Sequence, residues 1–219
     1  MRYERKLEVQ LGLENSIKTF LLCNGFREIF KLREVNSIYY DDVDYNFFHE
    51  SEDGLNQRTK IRARYYDSGK EGYKLEYKLK NDNLNWKVYK SSNQKEEGPL
   101  IPLIFDFKNS SFNPIRLPAS ISNVFKPTIL VSYLRRYFLS KDHALRATID
   151  YRIKFSKAKL AKTRIDIGLE RVHHKNVLEL KYDNSIQPSS TFIELLCQEF
   201  NFDLSRSSKY CNGIRTIFP

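Results

Sequence analysis

RTKIRARYYDSGKEGYKLEYKLK, residues 58–80, decides how the rest of the chain is read. Arg58, Lys60, Arg62 and Arg64 recur at every second position, with Thr59, Ile61, Ala63 and Tyr65 between them. After DSGKEG the alternation resumes: Lys74, Glu76, Lys78 and Lys80 share one parity, Tyr73, Leu75, Tyr77 and Leu79 the other. A period of two marks a β-strand, because a helix would scatter these charges around its circumference. The intervening Asp, Ser and glycines predict a short loop between antiparallel strands. One face of this hairpin is apolar and aromatic; the other is cationic, with one carboxylate set into it. That second face is either the wet side of an ordinary amphipathic hairpin or a surface that a polyanion completes. The sign bias favours the polyanion, since like charges on neighbouring strands repel and a purely structural surface mixes its signs.

The chain has 219 residues, enough for a real core in one domain or one large barrel. Charged residues at 29% and hydrophobic ones at 41% fit a folded, soluble protein and exclude a disordered one. The formal charge of +10 implies an anionic partner: nucleic acid, an anionic membrane or a phosphorylated small molecule. The opening MRYERKLEV has no apolar run, so no signal peptide is expected. No stretch approaches the roughly 20 apolar residues of a membrane helix. Cys23, Cys197 and Cys211 are far apart and form no CxxC pair, which fits reduced thiols in a cytoplasmic protein. Cys23 and Cys197 lie in apolar helical patterns and are expected in the core.

Outward from the hairpin, the same alternation recurs. Residues 2–9 set Glu4, Lys6 and Glu8 against Tyr3, Arg5, Leu7 and Val9. A helix is expected over Leu13–Cys23, a strand over Val35–Asp41, and a short helix around Tyr45–His49 before a turn at Gly54. Asn81–Lys126 holds Pro99, Pro102, Pro114 and Pro118 and predicts irregular connections with short helices. Strands resume over Thr128–Phe138 and Ala144–Ile153, where Arg146, Thr148, Asp150 and Arg152 share a parity. Arg164 and Asp166 continue the scheme, as do Glu179 and Lys181 within Val177–Tyr182. Thr191 and Glu194 make a capping-box pair for a helix after Ser190, and a last short helix is expected over Ser207–Ile214. With at least six two-faced strands and few helices, a closed antiparallel barrel is favoured over a flat sheet. The pattern leaves open which face points inward.

RYERKLEV, SIYYDD, the RTKIRARYY block, LEYKLK, SYLRRYF, LRATID, VLELKY and the closing SSKY, in that order, resemble the VTC domain. This is the polyphosphate-polymerase domain of the vacuolar transporter chaperone complex, within the triphosphate tunnel metalloenzymes. The resemblance runs from about residue 2 to residue 211 and implies a single α+β, mainly β, domain over residues 1–219. Its implied fold is an eight-stranded antiparallel β-barrel, a tunnel with basic residues inside and helices around it. The implied activity is transfer of the γ-phosphate of ATP onto polyphosphate with Mg²⁺ or Mn²⁺.

Position by position, the resemblance makes Lys6, Arg62, Arg64, Lys78, Arg135, Arg146, Lys181 and Lys209 phosphate ligands, with Arg58 and Lys60 as further substrate contacts. Glu179 becomes the metal-binding carboxylate, and Glu4 and Glu76 further inward acids. Arg136 and Arg5 should point away from this set by parity. The chemistry fits: guanidinium forks grip phosphate oxygens while Lys supplies point charge. Mg²⁺ is content with one or two carboxylates plus phosphate oxygens. Phosphoryl transfer needs alignment and neutralisation more than a protein nucleophile. No GxxxxGK[ST] or GxGxxG loop occurs, so nucleotide would be held by side chains. Expected partners are ATP and polyphosphate. A cytoplasmic location, at the inner face of a membrane through a separately encoded membrane protein, is also expected. Alternatives are a triphosphatase using the same residues and a non-catalytic sensor of polyphosphate or inositol polyphosphate. A nucleic-acid binder fits less well, because inward-facing cations exclude duplex by size.

Overall fold

A computed structural model describes residues 2–67, 72–81, 84–92, 125–161, 164–183, 190–204 and 207–219. The first half contains β1 (Arg2–Gln10), α1 (Glu14–Cys23), β2 (Phe26–Glu28), β3 (Arg33–Asp41), α2 (Asn46–Glu52), β4 (Arg58–Tyr66), β5 (Tyr73–Asn81) and β6 (Leu84–Ser92). The second contains β7 (Lys126–Ser140), β8 (Leu145–Ala161), β9 (Arg164–Val172), β10 (Lys175–Asp183), α3 (Ser190–Phe200), β11 (Asp203–Leu204) and α4 (Lys209–Ile217). The chain is therefore mainly β, antiparallel, with few helices, as its period-two patterning requires. Among the described residues no helix is long and apolar enough to cross a membrane.

The chain groups into two compact units. The first comprises Met1–Glu34, Ser132–Lys154 and Val172–Ser208; the second comprises Val35–Val131, Phe155–Arg171 and Lys209–Pro219. In the first, the strand order is β11-β1-β10-β8-β7, with β2 on β7. The alternation sends Leu7 and Val9 of β1, Ala147 and Ile149 of β8, and Leu178 and Leu180 of β10 to one side. Ile17 and Leu21 of α1 and Ile193 and Leu196 of α3 pack on that side. The helices thus shield the apolar side, and the charged side lies opposite them.

The second unit has the order β6-β5-β4-β3-β7, with β9 on β8. Tyr40 stands opposite Ile61, and Ile61 opposite Tyr77; Ile38 stands opposite Ala63, and Ala63 opposite Leu75. All six are buried. The alternate positions form the other face, on which Tyr39, Arg62 and Glu76 lie side by side. β4 and β5 pair antiparallel as expected, from Arg58 opposite Lys80 to Arg64 opposite Lys74. α4 packs tightly here: a Cβ on Gly213 would collide with Ile129 and stand 3.0 Å from Phe155 Cδ1. Any larger residue there requires Ile129 to shift.

Three expectations are corrected. Leu84–Ser92 is a strand, not an irregular connection. It pairs along its whole length with β5, which supplies order that single-segment propensity did not reveal. Residues 82–83 and 93–124 of the proline-rich middle lie outside the described residues. Cys23 is exposed, because the apolar stripe of α1 turns Ile17 and Leu21 inward instead. Finally, Arg152 has a positive φ of 51°, and pairing with β10 ends at Asp150, so the uniform alternation expected through Arg152 is interrupted.

Candidate functional site

The sequence-chosen residues gather into two charged clusters, one per unit. In the second unit, β4 and β5 place Arg58 opposite Lys80, Lys60 opposite Lys78, Arg62 opposite Glu76 and Arg64 opposite Lys74. Seven cations therefore share a face with one carboxylate. Glu76 is gripped by both forks: Arg62 Nε and Nη2 reach its Oε2 at 2.6 and 2.5 Å, and Arg64 Nη1 lies 3.5 Å from Oε1. Arg62 Nη1 also donates to Tyr39 Oη at 3.0 Å, and Arg64 Nε to Ser37 Oγ at 3.3 Å. Burial pushes the Tyr39 phenol up, but Arg62, Arg64 and Lys209 together draw it down to about 8. Lys209, at the start of α4, thus joins this cluster electrostatically.

In the first unit, β1 and β10 set Lys6 opposite Glu179 and Glu4 opposite Lys181, and β8 adds Arg146 opposite Lys181 and Thr148 opposite Glu179. The Lys181 ammonium is ion-paired with Glu179 and lies 3.8 Å from Glu4, which also meets Lys6 at 3.1 Å. Burial pushes the Glu179 carboxyl up, yet Lys181, Arg135 and Lys6 hold it well below the usual carboxylate range. Arg135 makes a bidentate pair with the fully buried Asp150, at 2.5 and 2.6 Å. Its guanidinium also sits over Tyr133 and Tyr137, 5.2 and 5.8 Å from their ring centroids. Arg136, by contrast, bonds Glu28 of β2 at 2.8 Å.

All thirteen chosen residues (Glu4, Lys6, Arg58, Lys60, Arg62, Arg64, Glu76, Lys78, Arg135, Arg146, Glu179, Lys181 and Lys209) are in the described chain. Arg58 is the outlying member, at the end of β4 beside Lys80. Sequence reasoning missed Tyr39, Asp41, Asp150 and Tyr210. A signal existed for each: Asp150 shares the parity of Arg146, and the other three lie inside the SIYYDD and SSKY motifs.

Glu4 and Glu179 both approach the Lys181 ammonium. Among the described residues no group of three or more His, Cys, Asp or Glu could form an all-protein cage. The donor set therefore fits Mg²⁺ or Mn²⁺ only as an ion that shares its coordination with a ligand's oxygens.

The antiparallel, mainly β architecture agrees with the fold class that the VTC resemblance implies. The chain belongs to the VTC domain family, whose model matches residues 1–218. HpAC1 from Hippeastrum, a candidate adenylyl cyclase with a dominant triphosphatase activity, superposes with a TM-score of 0.57 at 10% identity. That alignment covers 100% of this chain and 98% of the other. A candidate adenylate cyclase from Vibrio parahaemolyticus gives a TM-score of 0.50, also at 10% identity, over 96% and 97% of the two chains. No curated protein matches the sequence.

Proposed function

We propose that this protein is a metal-dependent polyphosphate polymerase that takes the γ-phosphate of ATP. The carrying observation is the β4–β5 face, where seven cations share one side with Glu76, which pairs with Arg62 and Arg64, in a chain of the VTC domain family. A triphosphate presents about four negative charges, and such a face is stable chiefly when an anion completes it. Arg62 and Arg64, braced by Glu76, Tyr39 and Ser37, grip phosphate oxygens without having to reorganise. Lys60, Lys78 and Arg58 extend the basic surface, and Lys209 draws the acceptor chain.

In the first unit, Lys6, Arg135, Arg146 and Lys181 supply positive charge. Glu179 and Glu4 would hold Mg²⁺ or Mn²⁺, which would supply positive charge against phosphate oxygens. A terminal oxygen of phosphate or polyphosphate attacks the γ-phosphorus in line, a new P–O bond forms, and the bond to the β-phosphate oxygen breaks. The nucleoside diphosphate departs carrying the electron pair, and the polymer grows by one phosphate.

The test is incubation of purified protein with ATP and Mn²⁺ or Mg²⁺, with gel separation of polymer and assay of free phosphate. A polymer ladder that disappears in Arg62→Ala and in Glu179→Gln is the expected result; a ladder that persists in both variants overturns the assignment. The second reading, a triphosphatase with water as attacker, is favoured by the activity of the Hippeastrum protein. Free phosphate without polymer selects it.

A further inference from the structure

Asp41 ends β3 and is fully buried. Its Oδ1 accepts the N–H groups of Asp42 and Phe47 at 2.9 and 3.0 Å, and its Oδ2 accepts that of Phe48 at 3.0 Å. The Tyr210 hydroxyl donates to the same Oδ2 at 2.5 Å. One carboxylate therefore ties together the end of β3, the first turn of α2 and α4. The Tyr210 ring stacks on Tyr39, with centroids 5.2 Å apart and planes inclined by 22°. Tyr39 in turn accepts from Arg62, and Lys209 is the residue before Tyr210. Gly213 brings α4 close to Ile129 and Phe155, and Arg215 pairs with Glu52 of α2.

Two apolar side chains could fill the Asp41–Tyr210 space without the desolvation cost of a carboxylate. What the hydrogen bond adds is direction, because it fixes the rotation of α4 about its axis. We propose that Asp41 and Tyr210 form a latch that positions Lys209 beside the Tyr39–Arg62–Arg64 cluster. Both are positioning residues, acting on phosphate only through Lys209. The inference rests on the reading that this cluster grips phosphate.

Tyr210→Phe keeps the ring and removes the donor. Two readouts apply: hydrogen exchange of the amides of 209–217, and calorimetric affinity for inorganic tripolyphosphate. Loss of one charge-assisted hydrogen bond should speed exchange about tenfold and weaken tripolyphosphate binding about tenfold. Lys209→Ala should weaken binding similarly, and the double variant should bind no worse than Lys209→Ala alone. Asp41→Asn, which keeps one acceptor oxygen, should show a smaller change of the same kind. Wild-type exchange and affinity in Tyr210→Phe overturn the latch. So does a double variant weakened by the full product of the single effects, which is what general loss of packing would produce. Wild-type protein that binds no tripolyphosphate overturns the phosphate reading and the latch's role in it. Exchange then separates that failure from absence of the latch.

Discussion

The two charged clusters use similar residues differently. In the first unit the charges are nearly matched, four cations to three carboxylates, and most are spent on each other: Arg135 on Asp150, Lys181 on Glu179, Glu4 between Lys6 and Lys181. In the second unit seven cations share the β4–β5 face with Glu76, which pairs with Arg62 and Arg64. The first arrangement fixes the paired side chains in place and tolerates their burial, because each has an opposite charge within reach. The second gathers positive charge on one face, which on the proposed reading an anion relieves. On this physics the first cluster is a frame and the second a grip, and each can be broken separately.

The largest expected effect is in the frame. Asp150→Ala leaves the buried Arg135 guanidinium without its bidentate acceptor and should cost about 3–5 kcal/mol of stability. Urea unfolding measures it. A loss below about 1 kcal/mol would mean that Arg135 finds water or another carboxylate, and that the first cluster is no more rigid than the second.

Acid–base behaviour should separate the two units by sign. Burial pushes the Asp41 carboxyl up to about 6 from 3.8. The folded state then holds that proton more tightly than the unfolded chain. Its contribution is present below about pH 4 and is lost as pH rises through 6, by about 3 kcal/mol in all. Glu179 is shifted the other way, held below its ordinary 4.5 by Lys181, Arg135 and Lys6 against the effect of burial. Its contribution is present above about pH 4.5 and is lost as pH falls below it. Urea unfolding at several pH values should therefore show wild type losing its advantage over Asp41→Asn between pH 4 and 7. Wild type should gain on Glu179→Gln between pH 3 and 5. Differences that stay constant with pH in both pairs would remove the contrast.

What the sequence made legible follows from this difference. The grip was readable because all its cations but Lys209 lie on two adjacent strands, where a period of two needs no knowledge of tertiary pairing. Lys6, Glu179 and Lys181 were found through the resemblance, but their balance was not, because it depends on which strand pairs with which. Arg135 shows the problem: its partner Asp150 is on another strand, and local patterning gives no register between them. The latch was hidden for the same reason, since Asp41 and Tyr210 are 169 positions apart. β6 was missed because its pairing with β5 outweighs the ambiguous pattern of residues 84–92.

A smaller effect is expected at α4, which carries Lys209. Gly213→Ala forces a methyl group against Ile129 and Phe155 and should cost about 1–3 kcal/mol by overpacking. If Lys209 belongs to the grip, tripolyphosphate affinity should fall in the same variant at temperatures where it is still folded. Unchanged affinity despite lower stability would detach α4 from anion binding.

The smallest change is the most discriminating for the grip itself. Glu76 is partly exposed and spends charge from both Arg62 and Arg64. Glu76→Gln keeps the shape and the hydrogen-bonding oxygen but removes the negative charge. A partly exposed ion pair is worth up to about 1 kcal/mol, so tripolyphosphate measured in chelator should bind up to about fivefold tighter. The gain should shrink as salt rises, because the added field is screened. Weaker binding instead would mean that Glu76 matters more for holding the two forks in geometry than for the charge it removes. The second cluster would then be a frame like the first, and the contrast between the units would lie in their net charge alone.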